Sequence, residues 1–284
     1  MLSCPAERQI GHQEFAMVEF SNPAAYEQWM GRWSRCLAPA FVSFANLSGG
    51  SRLLDVGSGT GALAEPLLMG VAHSTVVGIE PAEDYVSFSR ERFPDERLTF
   101  EVGDALDIPF EDDSFDATLS LLILQELPDA PLALQEMRRV TRPGGLVVAS
   151  QWDFANGMPM LALFWNTVLE VVPSDDAQRA ADDCMIVDYP DESALRNLWR
   201  ETGLIEVETE RQAVEMTFSS FEDYWAPFLS KVTPTSSYVG GLQADQASEI
   251  EVRMRSELGR DAADQSFCLT AYAWAVRGKV PPQL

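Results

Sequence analysis

From residue 51 to residue 152 the chain alternates short apolar runs with segments of helical period, a rhythm that builds a parallel sheet with helices on both faces. Residues 52–56 (Arg-Leu-Leu-Asp-Val) read as a strand running into a glycine-rich turn, 62–69 as a helix and 76–80 as a second strand. A helix over 82–93 places Val86, Ser89 and Phe93 on one face. Residues 98–102 make a third strand, and 116–124 are so continuously apolar that they read as a strand buried on both sides. A helix over 130–141, a turn at Arg142-Pro143-Gly144-Gly145 and a strand over 146–151 complete this regular half.

After Trp152 the rhythm changes. Residues 158–171 predict a helix rich in large apolar side chains, and 174–189 read as a polar, weakly ordered connection. Residues 191–202 form an amphipathic pattern with Leu195, Leu198, Trp199 and Thr202 along one side, ended by Gly203 as a C-cap. Residues 204–211 alternate like a strand, and 268–276 make the last one. Between these two strands lie helices at 221–229 and at 245–258, the second with Ile250, Met254 and Leu258 at i, i+4 and i+8. No internal repeat or low-complexity segment interrupts the pattern, which describes one domain with an elaborated C-terminal half.

Composition narrows the partners. Forty-four acidic residues face twenty basic ones, a formal net charge of -24 in 284 residues. Such a surface repels phosphate backbones and anionic lipid, which disfavours nucleic acid and stable membrane association. Cys4, Cys36, Cys184 and Cys268 are scattered without metal-ligand spacing, and His12 and His73 are the two histidines, so no metal is expected. The polar N-terminus lacks the regions of a signal peptide, no stretch reaches membrane-spanning length, and a cytoplasmic location is expected. The sequence carries no signal for an oligomeric state.

The sharpest local chemistry is Asp55-Val56-Gly57-Ser58-Gly59-Thr60-Gly61. Glycines after a buried strand allow a tight turn and close approach of backbone to ligand, and with Ala62 the run also meets the relaxed dinucleotide fingerprint. Glu80 ends the next strand, where a carboxylate can accept both hydroxyl protons of a ribose. Asp104, after Gly103, ends the third, where an adenine amino group can be read. Three successive strands thus deliver polar groups to the edge at which open α/β sheets bind ligands.

LLDVGSGTGAL, VVGIEP, VGDALDIPFEDDSFDA and RRVTRPGG together resemble the successive motifs of class I S-adenosylmethionine-dependent methyltransferases, over about residues 50 to 150. The similarity is greatest to the small-molecule subgroup that includes the ubiquinone/menaquinone methyltransferases. It implies an α/β, Rossmann-like, seven-stranded, mostly parallel sheet whose last strand is antiparallel and lies between the fifth and sixth. It also implies S-adenosylmethionine as cofactor and a small-molecule methyl acceptor. By the same resemblance Gly57, Ser58, Gly59 and Gly61 surround the methionine and ribose portion, and Asp55 orients the loop or meets the cofactor's amino group. Glu80 holds the ribose diol with Pro81 beside the adenine. Gly103, Asp104 and Ala105 read the adenine ring, and Leu121 lies along the cofactor. Gln125 stands near the methyl where many relatives carry histidine, which removes a potential base. A nicotinamide site is the weaker alternative, because Asp55 stands where a pyrophosphate would be repelled.

In this reading residues 1–48 form an N-terminal helical lid, 49–152 the cofactor core, and 153–284 the rest of the sheet with a helical cap inserted at about 216–265. Trp29 and Trp33, four apart, either pin a helix to the sheet or, as in relatives whose first helix closes over the cofactor, place Tyr26 and Trp33 in the pocket. There Arg32 or Arg35 pairs with the methionine carboxylate, with Arg32 preferred. Gln125, Trp152, Met158 and Trp225 are expected to line the acceptor pocket, with Gln125 and Asp153 the polar candidates near the methyl. In-line transfer from a sulfonium needs alignment and dryness more than acid–base chemistry, and a pocket poor in bases suits an apolar or aromatic acceptor. A protein that binds S-adenosylmethionine or S-adenosylhomocysteine without catalysis would carry the same motifs.

Overall fold

The computed structural model describes residues 22–230, 234–259 and 265–282; Cys4 and His12 lie outside them. Seven strands form one sheet in the order β3-β2-β1-β4-β5-β7-β6. They are β1 (Arg52–Val56), β2 (Thr75–Glu80), β3 (Leu98–Val102), β4 (Phe115–Leu121), β5 (Thr141–Trp152), β6 (Ile205–Phe218) and β7 (Phe267–Lys279). β7 is antiparallel to both its neighbours and inserted between β5 and β6, as the resemblance implied. Strand order reverses between β1 and β4, which opens a crevice at their carboxyl ends.

Alternate residues of the strands feed two cores. Leu53, Leu119, Val148 and Ala273 face helices α2 (Arg32–Ala45), α3 (Ala64–Gly70) and α6 (Pro159–Val171). Leu54, Val56, Val147 and Val276 face α5 (Ala130–Val140) and α8 (Glu192–Glu201). α2 follows a four-residue turn of helix, α1 (Pro23–Tyr26), and a π turn at Glu27–Gly31. It presents Trp33, Leu37, Phe41 and Ala45 every four residues, all buried. Asn46 ends it in the left-handed conformation (φ 52°), and Arg277 donates to the last-turn carbonyl of Phe44 at 2.7 Å.

Several boundaries differ from expectation. The helix expected over 62–69 begins at Ala64, because the glycine loop continues as turns through Leu63. The strand expected over 116–124 ends at Leu121: Leu122 is left-handed (φ 65°) and Leu124–Glu126 is a 3₁₀ turn. The turn at Arg142–Gly145 lies inside β5, where a bulge shifts the register from Phe115↔Thr141 to Ala117↔Leu146. The connection expected over 174–189 contains α7 (Asp175–Met185), capped by Ser174 Oγ on the Ala177 amide at 3.1 Å. Its buried face is Ala177 and Ala181, too small to register as an apolar stripe. The helix expected over 221–229 divides into α9 (Phe221–Trp225) and a 3₁₀ turn, Ala226–Leu229. α10 (Pro234–Gly241) was not expected, whereas α11 (Ala244–Glu257) falls close to its expected place.

The largest difference shapes the site. β6 runs seven residues beyond its expected end at Arg211, and β7 starts at Phe267. Beyond Tyr272, whose backbone still bonds Asp153 and Gly157 after β5, these strands pair only with each other, from Val214↔Ala271 to Phe218↔Phe267. At about 3.3 Å per residue this ribbon projects about 20 Å past the carboxyl end of β5. It carries the helices α9, α10 and α11.

Candidate active site

The glycine loop is held by the strand beside it. Gly57 and Ser58 both donate their backbone N–H to the Ile79 carbonyl at 2.9 Å, and Gly59 N–H donates to Glu80 Oε2 at 3.1 Å. Ser89, on α4 (Glu83–Arg92), donates its hydroxyl to the Gly59 carbonyl at 2.9 Å. Gly57, Gly59 and Gly61 have φ of 71°, 51° and 79°. A Cβ on Gly57 would also lie 2.6 Å from Ile123, so position 57 excludes side chains on two counts.

Asp55 ends β1 on the face that looks toward α2. It is 3% exposed, its Oδ1 has no hydrogen-bond partner, and burial followed by the nearby Glu80 pushes its carboxyl up to about 7. Glu80 is also raised by burial, against the lowering effect of the Ala82 and Gly59 amides. Ser58 Oγ is a second buried atom without a partner. Each such group left unpaired costs about 1–3 kcal/mol, so this corner is complementary to a polar, cationic ligand. Asp104 and Pro81 are exposed at the rim, Ala105 is buried beneath it, and Gly103 N–H donates to the Glu80 carbonyl at 3.2 Å. Leu121 is buried beside β1 at the end of β4. Beyond it the Gln125 amide donates to the Leu122 carbonyl at 2.8 Å, leaving Oε1 buried and without a partner.

The residues expected from the lid and cap lie differently. Tyr26 meets Tyr85 edge to face, centroids 5.9 Å apart, on the Glu80 side, and burial raises its phenol pKa. Arg32 is engaged elsewhere: its guanidinium bonds Asp223 Oδ1 at 2.6 Å and the Asp223 carbonyl at 3.2 Å, and lies 4.3 Å over the Trp33 ring. Arg32 thus pairs with Asp223 and Arg35 with Glu27, each an ion pair within the chain. Trp33 packs against Phe218 of the ribbon (5.1 Å) and Trp29 against Phe228 (4.9 Å), so both tryptophans pin the helix. Asp153 also departs from expectation. It is 3% exposed, its Oδ2 takes two bonds from Arg211 on the outermost strand at 2.7 and 2.9 Å, and its Oδ1 caps the Asn156 amide. Those bonds tie the end of β5 to β6. Trp152, Met158 and Trp225 are all buried in the core that also holds Trp29, Trp33 and Phe228. Trp225 stacks on Phe228 at 5.7 Å, and Phe228 stacks on Phe164 at 4.6 Å.

The methyltransferase domain family matches residues 54–149, the stretch that builds this edge. A demethylmenaquinone methyltransferase of Staphylococcus aureus is 31% identical over 167 residues, covering 56% of this chain and 69% of that protein. The chain belongs to the class I S-adenosylmethionine-dependent methyltransferases. A demethylmenaquinone methyltransferase of Streptomyces griseus is 27% identical over 180 residues, 60% of this methyltransferase and 74% of the relative. Among solved structures, a putative methyltransferase from an antibiotic biosynthesis pathway of Anabaena variabilis superposes with a TM-score of 0.57. It shares 17% identity and covers 86% of this methyltransferase and 98% of that chain. Phosphoethanolamine N-methyltransferase 2 of Haemonchus contortus, in complex with S-adenosylmethionine, gives 0.56 at 19% identity over 93% of this chain and 57% of that one. The methyltransferase uses S-adenosylmethionine, and the unpartnered atoms of Asp55 and Ser58 fit the polar end of that cofactor. Sequence reasoning passed over Glu27, which pairs with Arg35 and Arg92 behind the loop; the signal available was Gly31 inside a helical pattern.

Proposed function

We propose that this methyltransferase acts on a small, apolar or aromatic acceptor without a dedicated protein base. One observation carries the reading: the carboxyl edge is walled by acids on the cofactor side and by stacked aromatic rings on the lid side, with its arginines already neutralised. Arg32 is held by Asp223, Arg35 and Arg92 by Glu27, and Arg211 by Asp153. Each of the four already faces a carboxylate of this chain, which weakens its pull on a phosphate or carboxylate of an acceptor and also speaks against nucleic acid. That the relatives are named for demethylmenaquinone supports an aromatic ring as the attacked group.

Glu80 would hold the ribose diol, Asp55 the cofactor's ammonium, and Gly57 to Gly61 would let the backbone approach it. Asp104 and Ala105 would meet the adenine, with Pro81 and Gly103 shaping the rim and Leu121 beneath. Tyr26 would close the ribose side. When bound, the cofactor supplies an activated methyl on a sulfonium. The chain's own task is then alignment and exclusion of water, in which the ribbon, the lid helix and the side chains of Trp152, Met158 and Trp225 would take part. Gln125 offers a carbonyl oxygen that accepts a hydrogen bond but takes no proton. His73 sits exposed in the loop before β2, at the opposite end of the strands. The N-terminal segment through residue 48 would serve as the lid, and the insertion at about 216–265 as the cap of a single domain.

The test is S-adenosylhomocysteine production with an acceptor panel. Neutral aromatics, demethylmenaquinone among them, should turn over, and phosphorylated small molecules and oligonucleotides should not. Turnover confined to phosphorylated or polymeric acceptors would sink the proposal.

A further inference from the structure

We propose that Glu27 is a positioning residue for the cofactor loop, fastening the glycine turn to the N-terminal helix so that the two form one closing unit. The inference rests on the cofactor site described above. Four features converge on this carboxylate. The helix opens into a π turn at Glu27–Gly31, a wider and rarer winding found mostly where function demands an irregular presentation. Gly31 is buried, and a Cβ there would stand 2.5 Å from Glu27 Oε1, so the glycine makes room for the carboxylate. Oε1 accepts the hydroxyl proton of Thr60, the central residue of the loop, which is 2% exposed. Oε2 receives Arg92 Nη1 at 2.9 Å and pairs with Arg35.

Thr60 lies between Gly59 and Gly61, both left-handed, and Gly59 N–H is the loop's bond to Glu80. Two glycines give the loop freedom that must be lost when it closes on a ligand. Glu27 removes that freedom in advance by holding the one side chain between them. Arg92 and Arg35 hold Glu27 in turn, from the end of α4 and from α2. Glu27 need not touch the cofactor. Its effect is to pre-organise the loop that does, and its loss should appear as weaker cofactor binding rather than slower transfer.

Calorimetric titration of the full chain with S-adenosylhomocysteine tests this. Glu27→Gln and Thr60→Val should each raise Kd about tenfold, the scale of one hydrogen bond to a charged group. The combined variant should lose no more than the worse single one, because both break the same contact. Thr60→Ser, which keeps the hydroxyl, should restore most of the affinity, and the KM for S-adenosylmethionine should rise in Glu27→Gln while the rate at saturation stays within about twofold. Thr60→Val nearly conserves volume, so it still tests the idea if Glu27→Gln fails to fold. Affinity within twofold of the parent in Thr60→Val, or losses that multiply in the combined variant, would overturn the proposal. No binding by the parent chain would strike the cofactor site itself instead.

Discussion

The cofactor edge and the cap are built on opposite principles. At the edge, polar atoms are buried without partners: Asp55 Oδ1, Ser58 Oγ and Gln125 Oε1. In the cap the main side chains are rings in contact with rings: the buried Tyr224 hydroxyl donates to the Met160 carbonyl at 2.9 Å, and the unpartnered polar atoms there are indole N–H donors, those of Trp33 and Trp165, rather than acceptors. Unpaired acceptors at the edge favour a ligand that donates to them, whereas a dry cluster of packed rings stabilises the fold and selects a guest by shape. The family match reflects the same division, since it covers 54–149 and stops before the cap.

The strongest challenge to this contrast is Trp225→Ala. Trp225 is 2% exposed, and its truncation should cost about 3–5 kcal/mol of stability, a fall of roughly 10 °C in thermal melting. Affinity for S-adenosylhomocysteine should stay within about threefold. A large loss of affinity with unchanged melting would show that the two regions are not separate.

Asp55→Asn should do the reverse, weakening cofactor binding by about 10- to 100-fold in calorimetry without lowering the melting temperature of the free protein. Its carboxyl stands near 7 in the fold against 3.8 as a reference. Between those values the folded chain keeps a proton that the unfolded chain has released, so the contribution of Asp55 to stability falls as pH rises through that window. Unliganded Asp55→Asn should therefore melt above the parent at pH 8 and together with it near pH 4. Lower melting at pH 8 would assign Asp55 a structural partner.

The pH dependence of binding follows from the same group. If the ionised carboxylate is the binding form, its population rises about tenfold between pH 6 and pH 8, and affinity for S-adenosylmethionine should rise with it. A flat profile would leave Asp55 without a direct role at the ammonium. The smallest effect is expected at the seam between the regions. Asp223→Asn removes the partly exposed ion pair to Arg32 and should cost under about 1 kcal/mol in melting experiments. Its mark should be a severalfold rise in acceptor KM with cofactor KM unchanged.

The cofactor edge was legible in the sequence because its requirements are local. Gly57 follows a buried strand, Glu80 ends the next and Asp104 lies two residues past the end of the third, and spacing along the chain is enough to bring them to one edge. The partners of Arg32 and Asp153 were not legible because an arginine or aspartate in sequence is a charge without an address. Asp223 and Arg211, which pair with them, lie 191 and 58 residues away. The length of β6 was missed because Val214, Met216 and Phe218 have their reason in β7, fifty residues later.

By itself, then, the chain's pattern determined the parallel core, the glycine turn and the acids that end its strands, since backbone conformation and strand termini are set by neighbouring residues. The tertiary structure alone decided that β6 and β7 rise as a ribbon and that Trp29 and Trp33 pin the first helix to it. It also decided that Glu27 reaches Thr60 and that Asp55 is buried far enough to hold its proton near neutral pH. Each of these depends on desolvation or on partners distant in sequence, and neither exists until the chain has closed on itself.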